Sequence, residues 1–420
     1  MRRSQCLSGA CAVMFGLCVA GGPWWPGLAV AGSGASAPGG IHAGVPDAYV
    51  RPVSDTADQA DTLQRALDAL RPGQRLVFAP GRYVVGRSLV VKQAHVVLSG
   101  YGATLIATVP EDQTIEMRGA GTTIVGFRLT GAGTTRLYTP ESTKVDVTGR
   151  DVQVLDNVID GGGAGIFVFG GTDVAIVGNE VLSTLADGIH MTHGARNVLV
   201  QGNVVRGTGD DMIAVVSYRE DGVLSRNVLI TGNSLEGNTW GRGITVVGGA
   251  DVTISNNIVR NVQVSAGILV AQEDSNGTYG ASDIRIENNV ITDIQTATGR
   301  TDSRPLTQQG AIDISTWSGA VTRVAVVGNR VSHARFDGIR LWGNVSGVRL
   351  AGNQLSAIDG QPVRVGPAQT CATGQKRAAP CATVFESHSA APDVAGADTS
   401  LLPRVRQYVR QPRWSQRGSD

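Results

Sequence analysis

One phrase recurs eight times in this chain: two alternating apolar residues, a turn residue, an asparagine, then another apolar residue. It reads VQVLDNVI, VAIVGNEV, VLVQGNVV, VLITGNSL, VTISNNIV, IRIENNVI, VAVVGNRV and VRLAGNQL. The asparagines are Asn157, Asn179, Asn203, Asn233, Asn257, Asn289, Asn329 and Asn353, at spacings of 22, 24, 30, 24, 32, 40 and 24 residues. A period near two dozen with strand-type alternation specifies a solenoid. One coil of a parallel β-helix, three short strands and three turns, needs about that many residues. Asparagine tolerates the left-handed backbone such a turn requires. Stacked coils would let neighbouring amides hydrogen-bond in a ladder.

A second phrase lies between the first ones: AGIFVF, DGIHMT, DDMIAVV, RGITVV, AGILVA, GAIDIST and DGIRLW. Aligned on isoleucine, residues 166, 189, 213, 244, 268, 312 and 339 form one column, so one strand of every coil stacks on its equivalent in the next. Alternation sends Ile189 with Met191, Ile213 with Val215 and Ile339 with Leu341 inward. The row pointing outward contains Phe167, Phe169, His190, Thr192, Thr245, Asp313, Ser315, Arg340 and Trp342. Polar and aromatic groups on a flat parallel sheet suit a long, chain-like ligand.

The 420 residues could hold two ordinary domains, but the repeat points to one elongated domain over residues 53–365. The expected class is all-β, a parallel β-helix with an N-terminal capping helix. Residues 1–31 have the form of a secretory signal peptide: Arg2 and Arg3, an apolar run from Leu7 to Gly21, and a small-residue cleavage site at Ala29-Val30-Ala31. A secreted or periplasmic location follows. No segment is suited to span a membrane. The formal net charge of +1 gives no reason to expect a nucleic-acid partner, and nothing signals oligomerisation, so a monomer is expected. Cys371 and Cys381 remain after removal of the leader and are expected to pair across a small loop.

Residues 32–52, rich in Gly, Ala, Ser and Pro, read as a linker. Asp58 to Leu70 reads as an amphipathic helix with Leu63, Ala66, Leu67 and Leu70 on one face, ended by Pro72-Gly73. It would cap the open end of the solenoid. Phe127 stands where later coils carry asparagine. Insertions at Arg136–Lys144, Tyr218–Arg226, Gln272–Ser282 and Gln295–Gln309 would wall a groove. The repeat ends near residue 366. Residues 366–420 read as a tail packed along the solenoid and ending in an arginine-rich segment with Tyr408 and Trp414.

Asp210-Asp211 is the only double aspartate, and Asp211 falls in the column of Asp187 one coil earlier. Coils rise by about 4.8 Å, which gathers three carboxylates within roughly one sugar unit. Like charges so close resist joint ionisation, so one pKa should rise. A protonated acid beside an ionised base is what glycosidic hydrolysis requires. Turn capping and a calcium site are the other readings of the same residues.

This arrangement resembles the right-handed parallel β-helix (pectin-lyase-like) superfamily, and within it polygalacturonase-type glycoside hydrolase family 28 and related inverting glycosidases. That family carries an Asn-Thr-Asp-Gly strand, a Gly-Asp-Asp turn one coil later, a Gly-His-Gly strand and then an Arg-x-Lys pair. Here LADGIHM resembles the first, with Asp187; GTGDDMIAV the second, with Asp210 and Asp211; and WGRGITV the third, with Arg242 in place of histidine. The resemblance implies that Asp210 is the general acid and that Asp187 and Asp211 hold the attacking water. Leu185 replaces the asparagine. Leu269 and Ala271 occupy the two basic positions, which the resemblance ties to a uronate carboxylate, so a neutral or differently charged polysaccharide is expected rather than polygalacturonate.

Further substrate contacts are expected at His190 and Arg242, at Tyr218 and Glu273 on insertions, and at Asp313, Arg340 and Trp342 further along, Trp342 as a stacking platform. A hydrolase needs no cofactor. The alternatives are a lyase or uronate C5-epimerase, with the aspartates holding Ca²⁺ and His190, Arg242 and Arg340 serving the chemistry, or a non-catalytic glycan-binding envelope protein.

Overall fold

The computed structural model describes residues 45–131, 136, 139–298, 306–366, 385–386 and 394–406. The chain divides into Met1–Ile41, which lies outside the described residues, and His42–Asp420. The signal segment, Cys371 and Cys381, and Tyr408 and Trp414 are likewise outside them. Among the described residues no helix is long and apolar enough to cross a membrane.

Every coil contributes one strand to each of three parallel sheets. The first sheet has thirteen strands, running from Ala48–Val50 to Phe385–Glu386. The second has eleven, from Gly81–Val85 to Gln354–Ile358. The third also has eleven, from Leu89–Val91 to Val363–Val365. The last residues of the stretch read as a linker therefore already form a strand: Ala48–Val50 pairs with Arg75–Phe78. Its neighbour offers a free edge, and an alternating Ala-Tyr-Val run suits that edge.

Register in the third sheet follows the isoleucine column, Ile166 to Ile189 to Ile213 to Ile244 to Ile268 to Ile312 to Ile339. All seven are buried, as are Met191, Val215 and Leu341. Each such side chain contributes about 1.5–3 kcal/mol by leaving water. The second phrase thus supplies both the pairing register and the core.

The asparagine ladder is continuous. Each ladder amide donates from Nδ2 to Oδ1 of the asparagine one coil further on, at 2.9–3.0 Å from Asn157 through to Asn353. The same oxygens accept the backbone N–H of the preceding asparagine. The left-handed residue is the one before the asparagine: Asp156, Gly178, Gly202, Gly232, Asn256, Asn288, Gly328 and Gly352 all have φ between 50° and 70°. The expectation of a left-handed ladder asparagine is corrected accordingly, because the inward amide needs ordinary backbone and the turn is made one residue earlier. Phe127 stands in the ladder column and donates its N–H to Asn157 Oδ1. Its ring fills the space over Gly100, where a Cβ would lie 2.2 Å from it.

The helix spans Ala60–Asp68, shorter than expected because Asp58 remains outside it. Asp58 Oδ1 accepts the N–H groups of Ala60 and Gly86, tying the helix start to the first coil. Leu63 and Leu67 are buried. The Gln64 amide donates to the Val90 carbonyl and accepts the Val90 N–H, so it pairs with the edge strand Leu89–Val91 as another strand would. The cap therefore closes both the core and a sheet edge.

Beyond the last coil, residues 394–406 run back as a strap across the middle coils of the first sheet. Val394 accepts from Arg285, Ala397 donates to Thr253, Asp398 donates to Asn227, and Arg406 binds Gln153 and Asp151.

Candidate functional site

The turn that enters each strand of the third sheet sets the carboxylates. Asp187, Asp211, Arg242 and Asp337 share the position two before the isoleucine column. An aspartate there accepts the backbone N–H of the next coil: Asp187 Oδ1 from Asp211, Asp211 Oδ1 from Arg242, and Asp337 Oδ1 from Gln361, at 2.7–2.9 Å. One oxygen of each carboxylate is thereby fixed. Asp210 is placed by a tight approach, since a Cβ on Gly209 would lie 2.0 Å from the Leu185 carbonyl. The Thr208 hydroxyl donates to the Asp210 carbonyl.

Asp187, Asp210 and Asp211 each offer an oxygen within 4.8 Å of the others. Asp187 and Asp211 are buried, whereas Asp210 is half-buried at the lip and pairs with Arg136. Burial pushes the Asp211 carboxyl up to about 7; Arg242 pulls it back and the Asp187 charge adds to the rise. His190 Nδ1 meets Asp187 Oδ2 at 2.5 Å, which makes Nδ1 the donor and leaves Nε2 buried with no partner among the described residues. Arg242 donates to Glu273 at 2.7 Å and lies 3.9 Å from Asp211. In the histidine position of the resembled motif stands a cation shared between two carboxylates.

Two insertions join over this floor. Tyr218 and Thr278 form an antiparallel bridge, and Arg219 donates its N–H to the Gly277 carbonyl. Burial, with the nearby Asp187 and Asp211 charges, pushes the Tyr218 hydroxyl up to about 12. A pocket of about 250 Å³ lies beneath, lined by Asp187, His190, Asp211, Tyr218, Arg242 and Glu273. A larger cleft of about 860 Å³ runs from Asp210 and Arg136 past Arg242 and Glu273 to Arg340 and Trp342.

The structure brings Asp187, Asp210, Asp211, His190, Tyr218, Arg242 and Glu273 together. Arg340 and Trp342 line the far end of the same cleft. The outward row is not an open face: Phe167, His190, Thr192, Thr245 and Asp313 are all buried. Asp313, expected to touch ligand, is fully buried and instead holds Arg340 through Nε at 2.6 Å and accepts the Gly310 N–H. Arg136, Trp240 and Trp317 line the cleft without having been singled out in the sequence. The only signal was that Arg136 opens an insertion longer than a turn needs. A platform of rings flanks the trio on its N-terminal side, with Phe167 and Phe169 stacked at 5.8 Å and Phe169 and His193 at 4.2 Å.

A family model described as "Right handed beta helix region" matches residues 113–280 and 223–355. No curated protein matches the sequence. Among solved structures, the catalytic domain of a GH87 alpha-1,3-glucanase in complex with nigerose is similar over 76% of this chain and 67% of that one, with a TM-score of 0.58 and 17% identity. The Dettilon tailspike protein is similar over 76% and 68%, with a TM-score of 0.56 and 16% identity. The Azotobacter vinelandii mannuronan C-5 epimerase AlgE4 A-module is similar over 76% and 97%, with a TM-score of 0.56 and 18% identity. At such identities the likeness is one of fold. Three further glucanase structures are single aspartate-to-alanine variants, at positions spaced 23 and 1 residues apart in that protein.

Proposed function

The chain belongs to the right-handed β-helix family, and from that premise we propose that it is a polysaccharide-active enzyme that hydrolyses a glycosidic bond, with inversion, at Asp187, Asp210 and Asp211. The observation that carries this reading is the trio itself: three carboxylates with oxygens within 4.8 Å of one another, one with its pKa raised to about 7, at the entrance to a long cleft. The spacing of the three aspartates, 23 and 1, equals that of the glucanase variants, which supports the reading.

Hydrolysis needs one carboxyl that gives a proton to the leaving oxygen and another that takes one from water. Below about pH 7 the trio holds a proton on Asp211, adjacent to Asp210. In this reading Asp211 passes that proton to Asp210, which lines both cavities, and Asp210 hands it to the leaving oxygen as the glycosidic bond breaks. Asp187 is oriented by His190 and by the Asp211 N–H, and it receives the water's proton. The 250 Å³ pocket behind the trio has room for that water, whose share of liquid volume is about 30 Å³. Residues 1–31, read as a secretory leader, accord with a substrate outside the cytoplasm.

A second reading rests on His190 Nε2, which has no partner among the described residues and lines the same pocket as Tyr218 and Arg242. An imidazole base, a phenol and a cation are the parts a lyase or C5-epimerase uses, with Ca²⁺ on the carboxylates. The test is turnover of a polysaccharide panel with and without EDTA, beside Asp210→Asn. Reducing ends released without new ultraviolet absorbance, indifferent to EDTA and lost in the variant, support hydrolysis. Metal-dependent formation of an unsaturated, absorbing product overturns it in favour of elimination.

A further inference from the structure

The end of the cleft away from the trio carries two aspartate–arginine pairs on consecutive coils. Arg340 is held by Asp313 and Arg364 by Asp337, each through Nε at 2.6 Å and each across 27 residues. Both aspartates are buried and further tied to backbone, Asp313 to Gly310 N–H and Asp337 to Gln361 N–H. Arg340 and Arg364 are direct partners in register, so their Cα atoms stand about 4.8 Å apart along the solenoid axis. Anchoring through Nε spends one donor and turns the terminal nitrogens outward. Those nitrogens make no hydrogen bond to any described residue.

The surroundings are those of a binding site. Arg340 lies over the Trp342 ring, 5.6 Å from its centroid. The 860 Å³ cleft that begins at Asp210 ends on Arg340 and Trp342, and a pocket of about 340 Å³ continues it over Phe336 to Arg364. A guanidinium fork fixed in direction and set against an aromatic wall is matched to a planar or tetrahedral oxyanion. Four coils separate Asp211 from Arg340, or about 19 Å, and five separate it from Arg364. The pair therefore sits several sugar units from the bond proposed to be cut.

Resting on the polysaccharide reading above, we propose that this end of the cleft binds a negatively charged substituent of the saccharide chain, a uronate carboxylate or a sulfate ester, in the paired forks of Arg340 and Arg364. The substrate is then an anionic polysaccharide recognised away from the reacting bond. The basic pair of the resembled family is replaced near the trio by Leu269 and Ala271, and the charge recognition is carried at the far end instead.

The full chain carrying Asp210→Asn, which prevents consumption of ligand, would be titrated calorimetrically with length-matched neutral, uronate and sulfated oligosaccharides. One anionic series should bind at least about tenfold tighter than the neutral one, more weakly as salt is raised, and whichever series wins names the group. Adding Arg364→Gln should cut that affinity about tenfold and leave neutral binding alone. Because Arg340→Gln strands the buried Asp313, the paired change Arg340→Gln with Asp313→Asn serves as the second variant and should act alike. Equal binding of neutral and anionic series, or no effect of either variant, overturns the charge assignment and leaves the polysaccharide reading standing. Binding of none of the three overturns both.

Discussion

At the scale of single residues, the decisive property is where a carboxylate's second oxygen goes. Asp187, Asp211 and Asp337 occupy equivalent turns and make the same bond to the next coil. Asp337 then gives its other oxygen to Arg364 and Asp187 gives its other oxygen to His190, while Asp187 and Asp211 each keep an oxygen within 4.8 Å of Asp210. Two predictions belong here. Asp211 loses its proton as pH rises through about 7, so kcat/KM should fall above that pH. Arg242→Gln removes the charge that pulls the Asp211 value down and should move the fall to higher pH, as a pH–rate profile would read. Asp146, on the third sheet between Glu116 and Phe167, is buried with Oδ1 unpartnered, and burial, then the Glu116 and Glu141 charges, push it to about 7. An unfolded aspartate releases its proton near 3.8. Between these values the folded chain holds a proton the unfolded chain has lost, so stability falls as pH rises across the window. Asp146→Asn should therefore stabilise by about 4 kcal/mol at pH 8 and by far less at pH 4, read by urea unfolding at both.

At the scale of elements, the ladder explains which parts of the fold could be read in advance. Eight copies of one phrase encode the same strand, turn and amide, so pattern alone exposes them, and the isoleucine column follows for the same reason. Asn233 shows what each copy does: it accepts from Asn203 backbone and side chain and donates to Val200 and Asn257. Asn233→Ala leaves several buried groups without partners and should cost about 2–4 kcal/mol in denaturant unfolding. Asn353→Ala, at the half-buried end of the ladder, should cost about half as much. The insertions resisted prediction because each occurs once. Nothing in the residues around Tyr218 and Thr278 announces that they will pair and close over the pocket of His190, and nothing marks Arg340 as the partner that covers Asp313, so alternation alone placed both on an open face. Arg136 was hidden likewise: its partner Asp210 is 74 residues away and belongs to no repeat.

At the scale of the whole molecule, a solenoid is only as sound as its ends, since each coil contacts just its neighbours. The N-terminal end is closed by Ala60–Asp68, with Gln64 occupying the donor and acceptor of Val90. Gln64→Ala should lower stability by about 1–2 kcal/mol and open the Leu89–Val91 edge to a second molecule, seen as light scattering that grows with concentration. The strap at residues 394–406 crosses five coil steps, from Arg285 to Gln153, or about 24 Å. Fully extended, its residues would reach about 40 Å. The surplus length is stored partly in the one-turn coil Thr399–Leu401. The strap is therefore a slack tether: when load along the axis parts the coils, the asparagine amides and strand ladders bear it first, and the strap limits the extension only after that turn has paid out.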